Sequence, residues 1–501
     1  MFRTLRRLWQ LLFLAIFVWL VIVTTASLVG GFPVEWFFAV DPLVAVVTAL
    51  SRHALPLMLL WAVPMVVLTL VFGRFFCGWI CPFGTLHQAV GWIGKLRRAR
   101  DRIALNRPRR LYDLKYFILV AMLVAAALGS AQVGLLDPIA TSWRAFATVL
   151  VPAADNLTGG VYHGQRHFHA STLIAALFIA ALALNLWIPR LYCRMLCPAG
   201  ALFGLLAKFS LFRLERDVSR CTDCNVCGAD CQGAAEPQGE LRATECLLCL
   251  NCVGACKKGG MKYRFMASPE LTVDRLDLGR RRTLTALAAG VAFVPLARAS
   301  DGVGPRANPK RIRPPGALGE EDFLELCLKC GACMQACPTG GLQPALGEAG
   351  FEGLWTPVLM PRLGWCEQGC VLCTQVCPTG ALKKLTIAEK LGQPPAREPV
   401  RIGSAFVDRG RCLPWAVDTS CIVCEEVCPT APKAVYFKLE TVVTRDGGSR
   451  TLKRPFVELT RCTGCGVCES QCPVADEAAI RVTSVGETRS QRNRVLVGRG
   501  V

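Results

Sequence analysis

Most of the chain's 28 cysteines recur in runs of the form C-x2-C-x2-C-x3-C. Three thiolates in a tight loop can wrap three irons of a [4Fe–4S] cluster while the fourth reaches a neighbouring cluster, so this spacing points to iron–sulfur ligation. Two such runs stand close together, Cys221, Cys224, Cys227, Cys231 and Cys246, Cys249, Cys252, Cys256. By that rule Cys221, Cys224, Cys227 and Cys256 hold one cluster, and Cys246, Cys249, Cys252 and Cys231 the other. The proline that usually follows the fourth cysteine is replaced here by Gln232 and Lys257. Four more runs follow, and in each the fourth cysteine precedes a proline: Cys327, Cys330, Cys333, Cys337; Cys366, Cys370, Cys373, Cys377; Cys412, Cys421, Cys424, Cys428; and Cys462, Cys465, Cys468, Cys472. They supply ligands for four clusters, six in all. Spacing leaves two ligand exchanges open, between adjacent runs or nested, first with fourth and second with third. Structural zinc sites use paired rather than triple loops, and disulfide frameworks belong to short secreted chains.

Four cysteines remain. Arg74-Phe-Phe-Cys77-Gly-Trp-Ile-Cys81-Pro82-Phe-Gly84-Thr-Leu86 is echoed by Arg190-Leu-Tyr-Cys193-Arg-Met-Leu-Cys197-Pro198-Ala-Gly200-Ala-Leu202, a repeat of R-x-x-C-x3-C-P-x-G-x-L. Asp41-Pro42-Leu43 is likewise echoed by Asp137-Pro138-Ile139. Cysteines four apart share a helix face, so each pair can point at a common site, with the prolines ending or beginning the helices. Related by a pseudo-twofold axis along a membrane normal, the two segments bring Cys77, Cys81, Cys193 and Cys197 together as ligands of one further cluster or as redox-active thiols.

The elements that must position these groups are apolar. Leu8–Gly30, Ala54–Phe72, Tyr116–Ala131 and Ser171–Ile188 read as four membrane spans. Arg3, Arg6 and Arg7, then nine Lys and Arg between Lys95 and Lys115, then Arg190, Arg194 and Lys208 flank one side, against Arg52, Arg144 and Arg166 on the other. Both ends of the unit are therefore expected to face the cytoplasm. The formal charge of +20 resembles that of a nucleic-acid binder. Six clusters of roughly −2 each remove roughly 12 charges, however, and the remainder fits membrane topology, with no nucleic-acid partner.

Beyond the insert, Arg280-Arg281-Arg282-Thr283-Leu284 leads an apolar run to Ala297-Arg298-Ala299, which looks like a twin-arginine export signal with a small-residue cleavage site. Folded clusters need an exporter of folded chains. Val435–Val443 and Thr451–Val457, joined across Asp446-Gly447-Gly448-Ser449, read as a hairpin. The expected architecture is thus a membrane α-helical four-helix unit of two repeated hairpins (1–215), a two-cluster ferredoxin insert (216–268), a twin-arginine-like signal or fifth helix (269–300) and a four-cluster domain (301–501). The ferredoxin parts are α+β and bacterial-type.

On these motifs residues 1–268 resemble NapH-type membrane ferredoxins. Residues 275–501 resemble NapG/MauM-type exported ferredoxins through the arginine signal, Cys327-Leu-Lys-Cys330-Gly-Ala-Cys333, Val407-Asp408-Arg409-Gly410-Arg411-Cys412-Leu413-Pro414-Trp415 and Cys421-Ile-Val-Cys424-Glu425-Glu426-Val-Cys428-Pro429-Thr430. The resemblance implies a fusion of the two in the bacterial cytoplasmic membrane, multi-pass, with residues 301–501 periplasmic. It implies a quinol-dehydrogenase module that draws on membrane lipid and the quinol pool and feeds a periplasmic cytochrome c or a reductase system of nitrate or nitrous oxide type. A redox maturation or repair factor for a periplasmic metalloenzyme, or a cluster scaffold in a larger complex, are the other roles such motifs serve. A quinol site must take up protons, and Asp41, Asp137, His53, His163, His167 and His169 are the acceptors expected on the exported side. No C-x-x-C-H occurs, so covalent haem is not indicated.

Overall fold

The computed structural model describes residues 2–24, 34–53, 57–97, 102–158, 167–239, 241–265, 279–299, 308–396, 398–443, 447–490 and 493. They form two compact bodies. One comprises Met1–Val23, Pro33–Val149 and Thr172–Leu296, the other Thr24–Phe32, Leu150–Ser171 and Ala297–Val501.

In the first body, Phe2–Val23 is one helix, and its segment Arg3–Val23 (21 residues) is, among the described residues, the helix long and apolar enough to cross a membrane. Phe17, Leu20 and Val21 are buried, whereas Leu5, Leu8, Trp9, Leu11, Leu12 and Trp19 face outward. The other three expected spans are shorter. A 3-10 turn Leu57–Trp61 runs into Ala62–Phe72, Leu114–Ala127 is a single helix, and Ser171–Ala183 is prolonged by the turn Leu184–Leu186. Each is followed by a residue in the left-handed region, Gly73 (φ 86°), Gly129 (φ 78°) and Arg190 (φ 54°), where a right-handed helix cannot propagate. Among the described residues there is thus one helix of spanning length and three shorter apolar ones where four spans were expected, and residues 54–56 of the second lie outside the described residues. Val63, Val67, Leu173, Leu177 and Ile179 still point outward from them, an apolar surface of the kind lipid covers.

The repeat is visible in the backbone. Asp41 caps Pro42–Arg52 and Asp137 caps Pro138–Ala145, each with proline in the first turn, where its missing N–H costs nothing. Each C-x3-C-P segment forms a short helix (Phe75–Trp79, Leu191–Met195), a turn, and a second helix that starts on the proline (Pro82–Arg97, Pro198–Ala207). The two cysteines of a pair thus do not share one helix face. The first lies in the short helix and the second precedes the next.

The cluster modules are small, and antiparallel pairing brackets each. Phe212–Arg216 pairs with Met261–Phe265 around Cys221 to Cys256, and Ser404–Val407 with Ile480–Thr483 around Cys412 to Cys472. A single bridge, Ala317 to Leu382, closes the module of Cys327 to Cys377, which also holds the pair Leu342–Pro344 and Pro357–Leu359. The expected hairpin is present as Val435–Val443 paired with Ser449–Val457; the turn residue Asp446 lies outside the described residues. In the signal-like region Arg280–Ala299 is one helix of 20 residues containing Pro295, whereas 269–278 and Ser300 lie outside the described residues.

Candidate functional site

The four regular runs share a local device. The residues on either side of the second cysteine are left-handed in each: Asp223 and Asn225, Leu248 and Leu250, Lys329 and Gly331, Gly464 and Gly466. Such alternation curls the backbone so that successive N–H groups turn inward, which suits an anionic cluster. Leu248 and Leu250 hold this shape without glycine's freedom, so surrounding structure must enforce it.

Electrostatic proximity of the thiols sorts them into sets. In the insert, Cys252 feels Cys246, Cys249 and Cys231, so the fourth cysteine of the first run does cross to the second. Cys227 feels Cys221 and Cys224, and Cys256 packs in the same core as Cys227 while its sulfur accepts from Gly260 N (3.2 Å). In the second body Cys333 neighbours Cys327, Cys330 and Cys377, and Cys373 neighbours Cys366, Cys370 and Cys337. Cys424 neighbours Cys412, Cys421 and Cys472, and Cys468 neighbours Cys462, Cys465 and Cys428. Adjacent runs therefore exchange their fourth cysteines, and the nested alternative is not formed. Three of these sets line cavities of their own.

The four sets of the second body also fall in a line. Cys333 lies close to Cys373, Cys366 to Cys465, and Cys468 to Cys424, so the sets of the first and third runs are the ends. Cys366 N donates to Cys465 O (2.8 Å), which stitches the two middle sets together.

In the first body the repeat does bring Cys77, Cys81, Cys193 and Cys197 together: Cys197 feels each of the other three. Burial, and then the neighbouring thiols, push the Cys81 and Cys197 thiols up, so a bound cation is what would make thiolates of them. The pseudo-symmetry is completed by crossed arginines. Arg190 Nη1 donates to Cys77 O (3.1 Å) and lies where a side chain on Gly84 would begin, while Arg74 Nη2 stands 4.0 Å from Cys77 Sγ and occupies the matching place at Gly200. Gly84 N and Gly200 N point at Cys81 Sγ (3.4 Å) and Cys197 Sγ (3.2 Å).

This four-thiol set abuts the insert. A Cβ on Gly78 would lie 2.2 Å from Leu247 O, and Trp79 Nε1 donates to Leu248 O (3.0 Å), within the loop between Cys246 and Cys249. Glu245, next to Cys246, is buried among Lys115, which donates to it, Tyr116 (OH to Oε1, 2.9 Å) and Arg74 (3.7 Å). Arg194 donates to Cys231 O (3.1 Å) and Gln232 O (2.8 Å).

All seven thiol sets fit [4Fe–4S] clusters by their donors: soft sulfur ligands, fourfold in six sets and consistent with it in the set of Cys221, with backbone N–H groups aimed at sulfur. Ala235 N to Cys231 (3.2 Å), Leu382 N to Cys377 (3.4 Å) and Ala405 N to Cys462 (3.4 Å) add to those above. Among the described residues no three such side chains close on a single-ion point.

The expected proton acceptors separate. Asp41 and Asp137 are fully buried and close enough for their charges to interact, but Asp41 Oδ2 and Asp137 Oδ1 have no hydrogen-bond partner among the described residues. Asp41 Oδ1 accepts from Leu43 N (2.8 Å) and Asp137 Oδ2 from Ile139 N (2.9 Å) and Ala140 N (2.8 Å), which leaves one oxygen of each without a backbone donor. Burial pushes both carboxyls above the usual carboxylate range, most of all Asp41, which also faces the Asp137 charge. His53 ends the helix that Asp41 begins, about 18 Å away at 1.5 Å per residue, and is exposed. His163 lies outside the described residues, and His167 and His169 belong to the second body. A shared side of the membrane, the basis on which the histidines were grouped, says nothing about proximity. His87, Lys115, Glu245 and the pairing role of Arg74 and Arg190 were not anticipated from sequence; the repeated arginine was the available signal for the last two.

Models of a 4Fe-4S binding domain match residues 54–100 and 168–216, the two C-x3-C-P segments, and a second such model matches 322–343. The ferredoxin-type protein MauM of Paracoccus denitrificans, named for methylamine utilization, is 38% identical over 192 residues, covering 38% of this chain and 78% of MauM. The chain belongs to the MauM ferredoxin-type family. This ferredoxin-type chain is also 31% identical over 230 residues to the regulatory protein NosR of Pseudomonas aeruginosa, 45% of the chain and 28% of NosR. YccM of Escherichia coli, to which electron transport is ascribed, is 30% identical over 211 residues, 41% of the chain. The chain thus spans about half of YccM, 54%, and a smaller part of NosR. No solved structure matches.

Proposed function

We propose that the chain is a membrane-anchored conduit that takes electrons from quinol and delivers them through iron–sulfur clusters to a periplasmic acceptor, a cytochrome c or a reductase system of nitrate or nitrous oxide type. The observation that carries this reading is the linear order of the four thiol sets in the second body, with a four-thiol set abutting the insert in the first. When bound, [4Fe–4S] clusters supply one-electron storage at each set. The chain's own part is to hold them near one another, to shield them from water and to compensate their charge with buried Arg74, Arg190 and Lys115. The outward apolar face of Phe2–Val23 supports the anchor, and the arginine-led helix Arg280–Ala299 supports export of the four-cluster domain. Relatives named for methylamine utilization and for regulation leave the terminal partner to the neighbouring enzymes of each system.

Membrane vesicles carrying the chain test this: a short-chain quinol should bleach the cluster absorbance at turnover rates. Slow bleaching that requires a metallated partner would transfer the chain to maturation or repair. No bleaching with full iron content would leave it a scaffold and sink the proposal.

A further inference from the structure

The first body contains a cavity of about 440 Å³ between the N-terminal helix, the Pro82–Arg97 helix and the loops that carry Asp230 and Asn251. Its size lies in the range of small-ligand sites. Its mouth is open and mixed: Leu11, Trp92 and Ile93 line it and are 59%, 61% and 48% exposed, beside the exposed Arg7 and the half-buried Arg3. Its floor is polar. His87 is 0% exposed, and neither ring nitrogen has a hydrogen-bond partner among the described residues. Gln88 Oε1 and Arg190 Nε and Nη2, also at the cavity, are buried and unpartnered in the same way. Unsatisfied buried polar atoms are costly unless a ligand completes them.

The repeat singles out His87. In the pattern C-P-x-G-x-L the next residue is His87 in the first half and Phe203 in the second. Phe203 is buried and stacks on Phe76 (centroids 5.0 Å apart), as a packing residue should. His87 occupies the equivalent position against Phe83 and Tyr192 but carries two buried ring nitrogens without a partner among the described residues, in the lining of the cavity. One half of a duplicated scaffold has therefore departed from its twin at the cavity floor.

We propose that this cavity binds the ring of a quinone or quinol, with His87, Gln88 and Arg190 at its oxygens and Trp92, Ile93 and Leu11 around its tail. A quinone ring needs hydrogen-bonding groups for the oxygen that enters first and apolar side chains along its tail, which His87 with Gln88 at the floor and Leu11, Trp92 and Ile93 toward the mouth supply. Neutral imidazole, kept so by burial and then by Arg190, which lower it to about 3, offers one donor and one acceptor, so it serves either the carbonyl or the hydroxyl form. Arg190 also reaches Cys77 O, so the site adjoins the four-thiol set. The inference rests on the quinol reading and moves its site from Asp41 and Asp137 to His87.

The test uses the full chain in lipid nanodiscs with a photoreactive azidoquinone and peptide mapping. Label should fall in residues 3–11 or 85–93, and an excess of decylubiquinone should protect. His87→Phe, which copies the other half, and Ala89→Trp, which narrows the wall without touching the polar floor, should each lower labelling at least tenfold at unchanged iron per chain. Label elsewhere, labelling indifferent to both variants, or a phospholipid retained in the cavity that quinone does not displace would overturn the assignment. If quinol bleaches the clusters while label maps elsewhere, the function stands and this site fails. If label maps here without bleaching, the site stands and the electron-transfer reading fails.

Discussion

Glu245→Gln isolates the charge balance at the joint between the four-thiol set and the insert. Glu245 is buried and receives Lys115 and Tyr116, with Arg74 at 3.7 Å; the side chains of Lys115 and Arg74 are 0% and 1% exposed. The amide has the same shape and its oxygen can still accept from Tyr116, so packing is preserved while two buried cations lose their counter-charge. Removing one partner of a buried ion pair costs about 3–5 kcal/mol, and with two cations at stake the upper half of that range applies. For a body of this size that corresponds to roughly 8–20 °C in Tm. Thermal unfolding of the detergent-solubilised holoprotein, followed by circular dichroism and by loss of cluster absorbance, reads both the fold and the adjoining cluster. Lys115→Met in the Glu245→Gln background should recover part of the loss, because it removes a stranded charge. A single variant within about 1 kcal/mol of the parent, a change typical of exposed ion pairs, would refute the idea that this carboxylate neutralises the joint.

Other substitutions probe the remaining sites. Cys81→Ser or Cys197→Ser should lower iron by about four atoms per chain, the content of one cubane, and uncouple quinol from the second body while the ferredoxin spectra persist; normal electron delivery in both would remove the C-x3-C-P pairs from the mechanism. Gly84→Ala should weaken the same set, since the new carbon would meet Cys77 O at 2.8 Å and crowd Arg190, and unchanged iron content would contradict the close approach. In the second body burial would raise Glu320, but Arg313, then Arg489 and Arg311, hold its carboxyl well below the usual carboxylate range. Because the folded group is depressed, its stabilisation is present above the unfolded carboxylate value of about 4.3 and fades as pH falls below it. Glu320→Gln should therefore cost about 3 kcal/mol near pH 7, with the gap to the parent constant down to about pH 5 and narrowing as pH falls below about 4 in anaerobic denaturant titrations; a gap independent of pH would show that charge is not its origin.

The grouping of the thiols was legible in the cysteine spacing because three thiols within seven residues fall in one loop. Which runs exchange their fourth ligand was not, because Cys337 and Cys377 are brought to their sites by the bridge of Ala317 to Leu382, a contact with no local signature. The convergence of Cys77, Cys81, Cys193 and Cys197 followed from the repeat, although the local reason differed: the chain breaks after Trp79 and after Met195 rather than running on as a helix. Hydropathy marked the apolar segments but not their ends, which depend on left-handed residues such as Gly129. His53 and Asp41 looked equivalent as polar residues near one another in sequence, yet an 11-residue helix holds them apart. His87 carried no signal by composition; only its contrast with Phe203 distinguishes it.

The crossed arginines tie the two halves of the repeat to each other. Neither half of the repeat furnishes the guanidinium that fills the notch over its own glycine; each borrows it from the other. A single copy of the motif would be left with an open notch and half of the four-thiol set until it met a second copy, so the two halves can only be completed together, whichever way the duplication came about.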